Sequence, residues 1–123
     1  MAKTLKFTAV IGYVPGYGHK NEGREGTDPR RVWQSAAKEE FDESGYYVSA
    51  TAVDGHTVYH EDWGCPVGGE RTVVFSGSAN PEFTANMDEW RESVIRVAKE
   101  SKRSLEQTTV VIEFAKVDHV YLT

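Results

Sequence analysis

Cysteine is almost missing from this sequence: Cys65 is the only one in 123 residues. No intramolecular disulfide can form, which excludes a disulfide-stapled secreted scaffold and predicts a reducing, cytoplasmic setting. Long hydrophobic runs are missing too. With no 18 consecutive apolar residues there is no spanning helix, and the start of the chain alternates polar and apolar residues without a signal-peptide core. Positive charge is in deficit, 14 Lys and Arg against 19 Asp and Glu, a net −5. That balance offers no general attraction to nucleic acid or an anionic membrane, so neither is expected as a partner. Internal repeats, linkers and low-complexity tracts are also lacking.

What is present suits one core. The length fits a single α+β domain over 1–123, and three Trp, six Tyr and five Phe within 39% hydrophobic residues exclude a disordered polymer. Over 5–14, Leu5, Phe7, Ala9, Ile11 and Tyr13 alternate with Lys6, Thr8, Val10 and Gly12, the pattern of a strand with one apolar face. Residues 15–27, with Gly16, Gly18, Gly23 and Gly26, read as a long loop. Asp28 before Pro29 is a helix start, Val32, Trp33, Ala36, Ala37 and Phe41 form a stripe, and Gly45 is a stop, predicting a helix over 29–44. Residues 46–53 read as a strand, Asp54-Gly55 as a two-residue hairpin turn, and 57–59 as its return strand. After a second loop over 61–70 come a strand over 71–76, a helix over 87–105 opened by Asn86 and Glu89, and a strand over 108–115.

This order predicts a ferredoxin-like split β-α-β-β-α-β sandwich with an extra hairpin strand after β2, both helices covering one face of the sheet. The other face, carrying Thr8, Val10, Ser49, Thr51, Val74, Val111 and Glu113, is too apolar to leave wet, which predicts a homo-oligomer, most simply a dimer packed sheet on sheet.

Two loops hold the candidate functional residues. The first offers Tyr17, His19, Lys20 and Arg24 for an anion or small molecule, although His19 between Gly18 and Lys20 breaks the Walker pattern. The second offers Trp63 as an exposed contact residue. His56, His60, Asp62 and Cys65 are zinc-type ligands, but their spacing matches no closed zinc pattern, so no metal and no cofactor are expected. Cys65 with His60 as base is the nucleophile alternative, opposed by the acidic Glu61-Asp62 pair.

Trp33 on its helix, the 46–53 strand, Asp54-Gly55, Trp63, the strand opening at 70–74 and the Gln107-Thr108-Thr109-Val110 run together resemble a family of small bacterial proteins of unknown function with a ferredoxin-like layout. The resemblance implies that fold and no activity.

The leading functional expectation is a non-enzymatic, oligomeric binding module that engages a small anionic metabolite or a protein partner through its long loops. One alternative is a small dimeric α+β barrel enzyme, an isomerase or cofactor-free oxygenase, with His56, His60 or Glu113 as general base. Another is an acidic interaction or inhibitor protein using the run 39–43.

Overall fold

A computed structural model describes residues 2–13 and 28–123. The elements are β1 (Ala2–Gly12), α1 (Pro29–Ser44), β2 (Thr51–Thr57), β3 (Glu70–Ser78), α2 (Met87–Ser104) and β4 (Val111–His119), with a 3-10 turn at Glu61–Trp63 between β2 and β3. The sheet runs β2-β3-β1-β4 with every neighbouring pair antiparallel. This is the split β-α-β-β-α-β arrangement that the element order predicts. Among the described residues no helix is long and apolar enough to cross a membrane.

Helix ends fall where their caps put them. Asp28 accepts a hydrogen bond from the Arg30 amide (3.0 Å), Pro29 follows, and Gly45 at φ +80° closes α1 by donating to the Phe41 carbonyl (2.8 Å). Asn86 caps α2 by accepting from the Glu89 amide at 3.0 Å. The helices cover one sheet face, where Phe7, Ala9 and Ile11 of β1 and Val73 and Phe75 of β3 meet Trp33, Trp90, Val94 and Val97. The Trp33 ring stacks on Phe75 (4.6 Å between centroids) and on Phe7 (5.5 Å). Between the helices the buried carboxylate of Glu40 accepts two 2.9 Å hydrogen bonds from Arg96 and one of 2.8 Å from Ser93.

One sequence expectation fails here. Asp54 and Gly55 do not turn the chain, and no extra hairpin strand follows β2. Gly55 is not at positive φ, and β2 runs straight through, pairing Asp54 with Val73 and Gly55 with Thr72. Tertiary contacts override the local turn preference: the Tyr13 hydroxyl donates to Asp54 Oδ1 (2.6 Å), and Arg71 lies 3.6 Å from the same oxygen. Residues 46–50, expected as strand, stay outside the sheet because the core indoles take their carbonyls, Trp90 that of Tyr47 (3.0 Å) and Trp33 that of Val48 (3.3 Å). Ser49 accordingly belongs to no strand of the open face.

That open face is otherwise as the alternation predicts. In register, Val53 of β2, Val74 of β3, Val10 of β1 and Val111 of β4 form one apolar row across all four strands. Val53 and Val111 at its two ends are 57% and 61% exposed.

Candidate functional site

At one end of the valine row the sheet opens into a trough of about 320 Å³, within the range of small-molecule sites. One wall is Thr57, Tyr59, Trp63, Glu70 and Thr72, and the other is Val10, Gly12, Val111 and the α2–β4 connection at 107–109.

Local chemistry places each side chain. Gly68 and Gly69 both sit in the left-handed region, at φ +86° and +93°, and a Cβ on Gly69 would lie 2.9 Å from the Thr57 carbonyl oxygen. This glycine pair brings β3 in tightly, so that Glu70 lands opposite Thr57 in the ladder and on the open face. Thr57 and Thr72 join hydroxyls at 2.9 Å behind it. The Tyr59 amide donates to Cys65 Sγ (3.4 Å), and that thiol reaches the Pro66 carbonyl (3.3 Å), so Cys65 ties the loop that presents Tyr59. His60 accepts from the Asp62 amide through Nδ1 (3.1 Å), capping the 3-10 turn, and Gly64 at φ +94° ends it. Trp63 therefore stands on the rim of the trough, 73% exposed.

The electrostatics single out Glu70. Its carboxylate has no hydrogen-bond or ion-pair partner among the described residues, and burial pushes its pKa above the ordinary glutamate value. Among the described lining residues there is no His, Lys or Cys. A partly desolvated, unpaired carboxylate in a trough it shares with a phenol and an indole can receive a cation by charge and by ring faces together. Such a trough can bind and orient a positively charged guest.

Of the described residues proposed from the sequence as catalytic or binding, only Trp63 lines the trough. His56 pairs with Arg71 on the opposite sheet face, His60 serves as the cap just described, and Glu113 lies opposite Thr8, on the open face but outside the trough. Tyr17, His19, Lys20 and Arg24 lie outside the described residues. No cluster of three or more His, Cys, Asp or Glu able to hold a metal occurs among the described residues. Sequence reasoning missed Tyr59, Glu70 and Gln107. The one signal for Glu70 was its place directly after Gly68-Gly69, at the start of a strand.

Two solved structures share this architecture. A phage SAM lyase in complex with S-methyl-5'-thioadenosine superposes with a TM-score of 0.62 at 15% identity, covering 91% of this chain and 80% of that one. A phage SAM lyase in its apo state gives 0.60 at 12% identity, with 93% and 81% covered. At these identities the likeness carries the fold alone. No curated protein matches the chain. The family model described as SAM lyase, however, matches residues 2–123. It overturns two expectations from the sequence: kinship with a ferredoxin-like family of unknown function, whose short motifs reflect the shared fold and not the family, and a non-enzymatic binding or inhibitor role, which rested on long loops, an acidic run and the lack of a complete catalytic signature. The chain belongs to the SAM lyase family.

Proposed function

We propose that this protein cleaves S-adenosylmethionine without water, releasing S-methyl-5'-thioadenosine from the trough centred on Glu70. The observation that carries the reading is the unpaired, desolvated Glu70 carboxylate beside Tyr59 and Trp63. Family membership supplies the substrate class, and the thioadenosine bound to the phage enzyme is the expected product. S-adenosylmethionine carries a sulfonium and an ammonium, and the net charge of −5 steers cations toward the protein.

The chemistry balances without a co-reactant. The bond between sulfur and the γ-carbon of the amino-acid arm breaks, and its electron pair goes to sulfur, neutralising the sulfonium. The substrate's own carboxylate oxygen bonds to that carbon in a five-membered ring, leaving thioadenosine and a lactone. Opposite charges annihilate as the step proceeds, so the transition state is less polar than the bound substrate. An environment with little water favours it, and holding the arm curled supplies the rest of the acceleration. In this reading Glu70 holds the substrate's positive charge, Trp63 stacks on the adenine, and the threonine hydroxyls meet polar groups of the nucleoside.

The trough is open on one side, and the row Val53-Val74-Val10-Val111 continues from it uncovered. Homo-oligomer formation through this face, with a second copy as the trough's roof, is the arrangement that meets the need for dryness. A free thiol at Cys65 fits a cytoplasmic setting.

The test is direct. Purified protein is incubated with S-adenosylmethionine, and the products are separated by liquid chromatography with mass detection. Thioadenosine and homoserine lactone in equal amounts are expected. Unchanged substrate after prolonged incubation, with no heat of binding for thioadenosine, refutes the reading.

A further inference from the structure

The trough owes its far wall to a break in the sheet. The β1–β4 ladder stops at the pair Val10–Val111, while the β1–β3 ladder continues to Gly12–Thr72. Beyond Val10 the chain at 107–109 splays away from β1, and the side chain of Gln107 fills the place of the missing ladder partner. Its Oε1 accepts from the Gly12 amide at 3.2 Å, and its Nε2 donates to the Leu105 carbonyl at 3.3 Å. With an oxygen acceptor at one end and a nitrogen donor at the other, the amide is fixed in one orientation. A Cβ at position 12 would lie 2.7 Å from Gln107 Oε1, so an alanine there would push the amide out of this place.

The backbone of Gln107 is set independently of its side chain. Glu106 holds φ +53°, the only positive φ of a non-glycine residue among the described residues. The Glu106 amide donates to the Arg103 carbonyl (3.2 Å) and the Gln107 amide to that of Lys102 (2.9 Å), the paired closure of a Schellman helix end. Changing the Gln107 side chain therefore leaves the helix terminus intact.

From this we infer that Gln107 is a positioning residue for S-adenosylmethionine cleavage: its amide, wedged against Gly12, holds the β1–β4 gap at the width that keeps the bound substrate in reactive geometry. The inference rests on the lyase reading above. Misplacing a reacting arm by an ångström costs up to roughly a hundredfold in rate, so Gln107→Ala and Gly12→Ala are each expected to lower kcat by about ten- to a hundredfold. Wild-type thermal midpoints are expected to be kept.

Gln107→Asn shortens the wedge by one methylene and makes room for a Cβ at position 12. The double variant Gly12→Ala with Gln107→Asn should therefore recover at least about fivefold in kcat over Gly12→Ala alone, a non-additivity expected only of groups in contact. Gln107→Glu keeps the acceptor for Gly12 and loses the donor to Leu105. It should fold like the wild type and lose kcat, which keeps the test valid should Gln107→Ala fail to fold.

Steady-state kinetics, read together with thioadenosine binding by calorimetry, separate the two levels of the argument. Wild-type turnover with kcat within about twofold in the single variants, or strictly additive effects in the double variant, overturns the wedge and leaves the lyase reading standing. A wild type that neither cleaves S-adenosylmethionine nor binds thioadenosine overturns both.

Discussion

Glu70 stands directly opposite Thr57 in the β2–β3 ladder, on the sheet face that the helices leave uncovered. Its carboxylate lines the trough with no partner among the described residues, which leaves its charge available to a guest. Glu70→Gln is expected to lower kcat/KM for S-adenosylmethionine by about 30- to 1000-fold, the range for removing one member of a desolvated charge pair. The fold should survive and the thermal midpoint should not fall, because the substitution removes a partly desolvated charge that has no partner among the described residues. Kinetics and a melting curve on the same preparation check this. A kcat/KM within threefold of wild type would remove Glu70 from the site.

The pH dependence follows from the same burial. Glu70 binds its proton more readily than an ordinary glutamate does, and the cation requires the ionised form. As pH falls, kcat/KM should be lost through a pKa above the usual glutamate value. The matching limb in kcat should lie at lower pH, because bound substrate stabilises the carboxylate. Glu70→Gln should abolish this limb, and a pH profile of both proteins decides the matter.

Trp63 gives a binding prediction independent of charge. Trp63→Ala should raise KM by roughly tenfold or more, with Trp63→Phe intermediate, as expected for the loss and partial retention of a stacked ring. Thioadenosine should quench tryptophan fluorescence in the wild type and lose most of that effect in Trp63→Ala, since Trp33 and Trp90 are buried in the core. Equal quenching in both proteins would place the nucleoside elsewhere.

The Glu40–Arg96 pair concerns stability alone. Arg96→Ala leaves the Glu40 carboxylate, 6% exposed, with its serine partners only, and should cost about 2–3 kcal/mol, below the fully buried range because Arg96 itself is half exposed. Chiefly through Arg96, the pKa of Glu40 is lowered on folding. The stabilisation is therefore present above the unfolded glutamate value and lost as pH falls through the lower folded value. Denaturant melts at neutral and acid pH should show the gap between wild type and Arg96→Ala narrowing on acidification.

Val53 tests the assembly without touching the trough. Placed on the open face and 57% exposed, Val53→Asp should shift the protein to 13.8 kDa monomers and depress activity, while its circular dichroism matches the wild type. Light scattering after size exclusion gives the answer. A wild type that is already monomeric at high micromolar concentration would sink the proposed roof.

The fold was legible because its signals are local and periodic. Alternation in β1, the Asp28–Pro29 start and the Gly45 stop each act within a few residues, and the structure keeps them. Asp54-Gly55 misled because a turn preference of that kind yields when a neighbouring strand and the Tyr13 hydroxyl hold the segment extended. The trough was illegible for a different reason. Tyr59 and Glu70 come from the two ends of the β2–β3 connection and Gln107 from the end of α2, and only the β2–β3–β1 pairing brings them together. Sequence reading favoured histidines and cysteine for their reactivity, whereas the trough is lined by a carboxylate, rings and hydroxyls.

Layering the molecule with helices on one side only separates two kinds of evolutionary constraint. Substitutions among Phe7, Trp33, Phe75 and Trp90 strike the packing on which folding depends, while those on the bare side of the sheet leave it alone. The working surface can thus drift, change its guest or its neighbours, and remain mounted on the same frame, and backbones of this kind can stay superposable long after their sequences have diverged.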